Sequence, residues 1–180
     1  TKLPPGSMTK LGAEEGRAVL ETAERLRALG HTVEQRDPDY PASFWGSAYV
    51  RVLRGIADDV AASMPHRERL EPRTRHVAAM GAALPASLVR KARADEAAQS
   101  RRILSLFDDG YDALLLPGCA EGPYPAGTFT QHGTAWWLAM AAKRIPYFAA
   151  FNLTGTPAVA VPAGTDDDGL PLGVQFAGRR

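Results

Sequence analysis

The side chains able to do nucleophilic, general-base or metal chemistry are few in this sequence and widely scattered. Cys119 is the only cysteine. It follows the apolar stretch Leu114 to Leu116 with no histidine beside it in sequence, so its expected role is packing, not attack on a substrate. The four histidines, His31, His66, His76 and His132, show neither an i, i+4 pair nor the HExxH spacing of a zinc site, and no metal is expected. Asp166-Asp167-Asp168-Gly169 has the composition of an acidic calcium loop. It lacks the alternate-position ligands and terminal Glu of one, and it reads as a solvated turn. The serines, from Ser7 to Ser105, stand alone, none among glycines whose amides could form an oxyanion hole. Lys2, Lys10, Lys91 and Lys143 lie in no recognisable catalytic setting. No cofactor is expected.

The elements that would position such groups alternate between helix and strand. Glu14 to Leu29 carries Val19, Ala23, Leu26 and Leu29 at helical spacing, with Gly30 where a left-handed cap belongs. His31 to Arg36 reads as a short strand ended by Asp37-Pro38-Asp39. A strand before the first helix is expected to be missing or cut short at Thr1, because consecutive α/β elements usually neighbour each other. Phe44 to Met64 and Leu84 to Phe107 read as further helices. Tyr111 to Leu116 reads as a buried strand closed by Pro117-Gly118. The Gly- and Pro-rich loop from Gly118 to Gly133 is long enough to cover something. Thr134 to Lys143 is a short helix carrying Trp136 and Trp137. Ala158 to Val161 and Leu172 to Phe176 are strands joined by a hairpin-like turn. The Ala158 to Val161 run, apolar on both faces, predicts a strand covered on each side by helices. The fold class is therefore α/β.

Composition sets the outer limits. A chain of 180 residues with 45% apolar and 23% charged residues can bury a single hydrophobic core and lies far from disorder. The formal net charge is +1, which offers no electrostatic footprint for nucleic acid or an anionic membrane surface. No stretch approaches the ~20 apolar residues of a membrane span, and the lone cysteine excludes an intrachain disulfide, so a cytoplasmic location is expected.

One segment is specific. Asn152-Leu153-Thr154-Gly155-Thr156-Pro157-Ala158 is followed by Val161-Pro162-Ala163-Gly164 and then by Gly169-Leu170-Pro171-Leu172-Gly173-Val174-Gln175. Gly155 and Gly164 permit positive φ or close backbone approach, and Pro157 and Pro162 fix φ at strand ends. In this order the motifs strongly resemble the C-terminal core of the amidase signature family, and the match runs from Phe151 to Gly178. Upstream, YDALLLPG and LRALGHTVEQ resemble the family's strand and helix-to-strand unit, so the resemblance spans nearly the whole chain.

The resemblance implies part of the amidase signature fold, a mixed β-sheet covered by helices on both faces. It implies hydrolysis of a linear amide to a carboxylate and an amine or ammonia through a serine acyl-enzyme, using two serines and a lysine. Those residues belong to a glycine- and serine-rich stretch and a lysine preceding it, which this sequence does not contain. The chain is therefore expected to be a C-terminal fragment of one amidase domain, inactive alone, with the N-terminal portion of the same protein and a small-molecule amide as partners and homodimerisation left open. Carried over residue by residue, the segment before the Asn-Leu motif places Tyr147, Phe148 and Phe151 at the acyl side of a substrate pocket, with Trp137 at its border. Phe148 and Phe151 could equally be ordinary core, and for Trp137 packing in the core or at an interface is the stronger reading. Asn152, Thr154, Gly155 and Pro157 are expected to be structural. The glutamine-dependent amidotransferase branch has an acidic residue where this chain has Ile145 to Phe151, so an apolar or aromatic amide is the expected substrate. Two rival readings remain: a non-catalytic family remnant acting as a binding or interaction module, and a split enzyme completed by another chain.

Overall fold

The computed structural model describes residues 2–63 and 65–179. Thr1 and Met64, at the bounds of two expected elements, lie outside the described residues. The first helix, α1 (Ala13–Ala28), ends as its sequence dictates. Gly30 has φ 94°, its N–H donates to the Arg27 carbonyl, and the His31 N–H reaches back to the Leu26 carbonyl. This pair of bonds satisfies carbonyls that the helix end leaves open. His31 to Arg36 pairs with no strand and has no regular secondary structure, which corrects the expectation of a strand there. Val33 offers its carbonyl to Arg27, while Glu34 and Arg36 bond the Tyr111 hydroxyl. With side-chain bonds of this kind the segment lies beside the start of the sheet without joining it.

The central helices are α2 (Phe44–Ser63), α3 (Pro72–Ala82), α4 (Ala86–Ala94) and α5 (Glu96–Leu104). The single helix expected over Leu84 to Phe107 is thus two, divided at Asp95, with a 3₁₀ turn over Ser105–Phe107. Helix α3 follows Pro72 at its first position, a site where proline costs nothing. Its Gly81 lies where a Cβ would come within 1.9 Å of the Leu53 carbonyl oxygen, so glycine lets α3 close onto α2.

The sheet contains β1 (Ala113–Pro117), β2 (Ala158–Thr165) and β3 (Pro171–Gly178), in the order β1-β3-β2 with both pairs antiparallel. The turn joining β2 to β3 is closed by Asp166. Its side chain accepts the N–H groups of Asp168 and Leu170, and Gly169 takes φ 78°. Alternation along β3 splits the core. Leu172 and Val174 pack with Ala18 of α1 on one face, whereas Ala177 joins Leu116, Ile103 and Phe44 on the other. Helices therefore cover both faces of the α/β sheet.

Coverage stops at β2. Val159 is 56% exposed and Val161 37%, and Ala158 and Ala160 are exposed as well. The expectation that this run is buried on both faces fails within this chain, because β2 is an edge strand with a neighbour on one side only.

Candidate functional site

The aromatic segment assigned to a pocket wall folds as a helix, α7 (Pro146–Thr154). Pro146 stands at its start, and Gly155 ends it with φ 62°, its N–H donating to the Phe151 carbonyl. Proline first and glycine last is the usual helix asymmetry. The helix before it, α6 (Thr134–Arg144), is separated from α7 by Ile145 alone.

Helical geometry sorts the four candidate side chains. Tyr147 and Phe151, four residues apart and on one side, are 0% and 1% exposed and belong to the same core cluster as Phe44, Ile103 and Leu116. Phe148 and Trp137 are half-buried. Phe148 reaches the end of β1, where a Cβ on Gly118 would lie 3.8 Å from its ring tip. Trp137 of α6 has the Arg73 guanidinium 5.5 Å from its ring centre.

The family motif has a structural account. Thr154 and Thr156 share a hydroxyl hydrogen bond of 2.7 Å, and the Thr156 N–H also bonds the Phe151 carbonyl. Both threonines are buried, which fixes the exit from α7 into β2. The Pro157 carbonyl accepts the Gly178 N–H at 2.9 Å, so the ladder extends one pair beyond β2. Buried Gln175 of β3 donates to the Tyr147 carbonyl at 3.4 Å and ties α7 to the sheet. Asn152 is exposed. Arg51 of α2, which no sequence motif marks, donates to the Leu153 carbonyl at 2.8 Å and pairs with Glu96 at 2.7 Å. It thereby meets an open carbonyl near the end of α7 with a positive charge.

The glycine- and proline-rich loop packs beside α6. Gly118 donates to the Gly173 carbonyl, Ala120 donates to the Arg144 carbonyl at 2.7 Å, and the Ala120 carbonyl accepts the Gly12 N–H at the start of α1. Three elements are thus pinned to one short segment. Beyond it, Glu121 accepts a hydrogen bond from the Tyr124 hydroxyl and pairs with Lys143 at 3.1 Å, while Arg144 sits 5.2 Å from the Tyr124 ring centre. The Tyr124 hydrogen bond, reinforced by Lys143, holds the Glu121 carboxyl below the usual range. Burial, and then Glu121, push the Tyr124 phenol up to about 12. Phe129 packs edge-on against Tyr124 and touches Trp136, on which His132 stacks at 3.9 Å. Arg73 also donates to the Phe129 carbonyl, and His76 meets the Thr134 hydroxyl at 3.2 Å, so α3 holds the loop from its far side. Nothing at sequence level marks this cluster, because its members lie on three elements.

Several reactive side chains are already engaged. The hydroxyls of Ser7, Ser47 and Ser105 donate to backbone carbonyls. Lys91 is held by Asp95 and Lys143 by Glu121. Cys119 is half-buried. Among the described residues no group of three or more His, Cys, Asp or Glu could hold a metal ion, and no helix is long and apolar enough to cross a membrane.

The comparisons with known proteins agree with this architecture. The structure superposes on that of 6-aminohexanoate cyclic dimer hydrolase complexed with substrate with a TM-score of 0.74 at 20% identity, covering 98% of this chain and 41% of that one. In sequence, the chain is 42% identical over 179 residues to "Putative amidase AmiB2" of Mycobacterium tuberculosis, covering 99% of this chain and 38% of that protein. It therefore spans about two fifths of the length of that relative. Similarity to a glutamyl-tRNA(Gln) amidotransferase component of Rhodopseudomonas palustris is 38% over only 73 residues, 41% of this chain and 14% of that protein. The chain is thus more like the amidases than like the amidotransferase. Since the Amidase family model matches residues 4–180, the chain belongs to the amidase family.

Proposed function

We propose that the parent protein is a serine amidase to which these residues contribute the sheet and one wall of the substrate pocket. The observation that carries this reading is the division of labour on α6 and α7. Tyr147 and Phe151 are sunk in the core, while Phe148 and Trp137 are left half-buried, Phe148 at the end of β1. Rigid aromatic side chains offer a substrate apolar area at small entropic cost. Phe148 and Trp137 form the wall, and Tyr147 and Phe151 pack behind it. With no acidic side chain between Ile145 and Phe151, the wall favours an apolar or aromatic acyl group over glutamine.

The chemistry belongs to residues outside this chain. A serine hydroxyl adds to the amide carbonyl while a lysine, acting through a second serine, takes its proton. Collapse of the tetrahedral adduct returns the proton to the departing amine, and water then cleaves the ester to a carboxylate. The sequence has no glycine- and serine-rich stretch to carry the two serines, and the chain alone is expected to be inactive. A cytoplasmic setting accords with a single thiol.

The test compares turnover of an aryl amide by residues 1–180 and by the parent protein. Hydrolysis by the parent alone is expected, and Phe148→Ala in the parent should raise KM about tenfold with a smaller change in kcat. Equal turnover by the isolated chain would sink the proposal.

A further inference from the structure

Helix α6 has no core of its own behind it. None of its residues is buried, so packing alone does not fix where Trp137 stands. The C-terminal end of the helix is tied to the loop through Arg144, whose carbonyl accepts the Ala120 N–H, and through Lys143, which pairs with Glu121. The N-terminal end, which carries Trp137, meets the central helices through α3. There Arg73 donates to the Phe129 carbonyl and lays its guanidinium 5.5 Å from the Trp137 ring centre, while His76 meets the Thr134 hydroxyl at 3.2 Å. Arg73 holds this place at a cost to its own helix. It follows Pro72 in the first turn of α3, a turn without an acidic residue, where a cation opposes the positive end of the helix dipole. Among the described residues its partners are a loop carbonyl and an aromatic face, with no carboxylate beside them. A guanidinium serves both at once, because its planar fork donates along the edge and stacks through the flat face. Arg75, two residues on, instead donates to the Glu68 carbonyl just ahead of α3.

We propose that Arg73 is a positioning residue for the substrate pocket. It fixes the Trp137 indole by cation–π contact and the Phe129 backbone by a hydrogen bond, and so sets how well the pocket accepts an aromatic acyl group. The inference rests on reading Trp137 as part of the pocket wall. Arg73 joins the two sides of this unit, since the loop contributes Phe129 and α6 contributes Trp137. Phe148 needs no such brace, because Tyr147 and Phe151 on the same helix are sunk in the core. The wall therefore has a rigid half on α7 and a braced half on α6, and substitution of the brace moves only the second.

The test is a double-mutant cycle on the parent protein, read by hydrolysis of benzamide. Arg73→Met keeps the apolar stem but loses the charge and both contacts, so it should raise KM about fivefold with kcat changed less than about twofold. In a Trp137→Ala background the same substitution should raise KM by less than about twofold, because the group it acts through has gone. Arg73→Lys keeps the charge but cannot serve the carbonyl and the ring face together, and its KM should fall between those of the unsubstituted parent and Arg73→Met. Equal increases in KM with and without the indole would overturn the proposal, since a role in the fold alone gives that result, and so would a loss confined to kcat. If Arg73→Met does not fold, Arg73→Lys is carried through the same cycle and judged by the same coupling to Trp137. Failure of the underlying reading looks different. A parent that leaves benzamide intact overturns the aromatic-amide reading and this assignment with it, whereas an active parent with uncoupled effects loses only the role of Arg73.

Discussion

Helices α6 and α7 are consecutive, both rich in large apolar side chains and separated by one residue, yet they occupy different environments. Helix α7 buries Pro146, Tyr147, Ala150, Phe151 and Thr154, whereas α6, with two tryptophans, buries no residue fully. The difference lies in what surrounds them. Helix α7 sits between β3, through Gln175, and the central helices, through Arg51. Helix α6 rests on a loop and on the edge of α3. Apolar composition shows that a helix can be buried; its neighbours determine whether it is.

The contrast breaks most readily at Phe151. Phe151→Ala should cost about 3–5 kcal/mol, read by denaturant unfolding, since a ring in a closed core leaves a cavity when removed. A loss under about 1 kcal/mol would mean that α7 is not the anchor described. Gly118→Ala comes next. The added methyl would lie 2.8 Å from the Gly173 carbonyl oxygen, where backbone must move, and about 1–3 kcal/mol should be lost. Trp136→Ala, on α6, should cost only about 1 kcal/mol in the isolated chain, because the indole is only partly buried there.

The pH response of the loop is the smallest effect and sharpens the same contrast. Glu121 has a depressed carboxyl pKa, so its contribution is present above the unfolded value and is lost as pH falls through the folded one. Tyr124 is raised from 10.0 to about 12, so its contribution is present below about 10 and is lost as pH climbs through about 12. In an ultraviolet titration of phenolate, Tyr124→Phe should remove a component that ionises near that upper value. Glu121→Gln should lower it only in part, since burial remains, and should flatten the acid limb of stability.

Much of the fold is legible in the sequence where local chemistry decides it. The α1 terminus at Gly30 and the hairpin turn at Asp166 to Gly169 follow from glycine at positive φ and aspartate accepting backbone amides. Family membership is carried by the Asn152 to Gln175 motifs, whose threonines and glutamine hold α7 against the sheet. What escaped depends on neighbours. His31 to Arg36 has strand-like residues but no ladder to join, and β2 has a core-like pattern at an edge. The break at Asp95 carries no proline or glycine to announce it. Helix α7 is bracketed by Pro146 and Gly155, but its dense aromatic content masks the helical spacing that separates Tyr147 and Phe151 from Phe148. The Glu121, Tyr124 and Lys143 cluster, assembled from loop and helix, has no linear signature.

The central claim is that these residues shape the pocket while the bond-breaking groups lie elsewhere in the parent. It is tested most directly by trapping the acyl-enzyme of the parent protein with a slow ester substrate and locating the adduct by peptide mass mapping. The expected result is an adduct on a serine outside residues 1–180; an adduct on any serine of this chain, or on Cys119, would contradict the account.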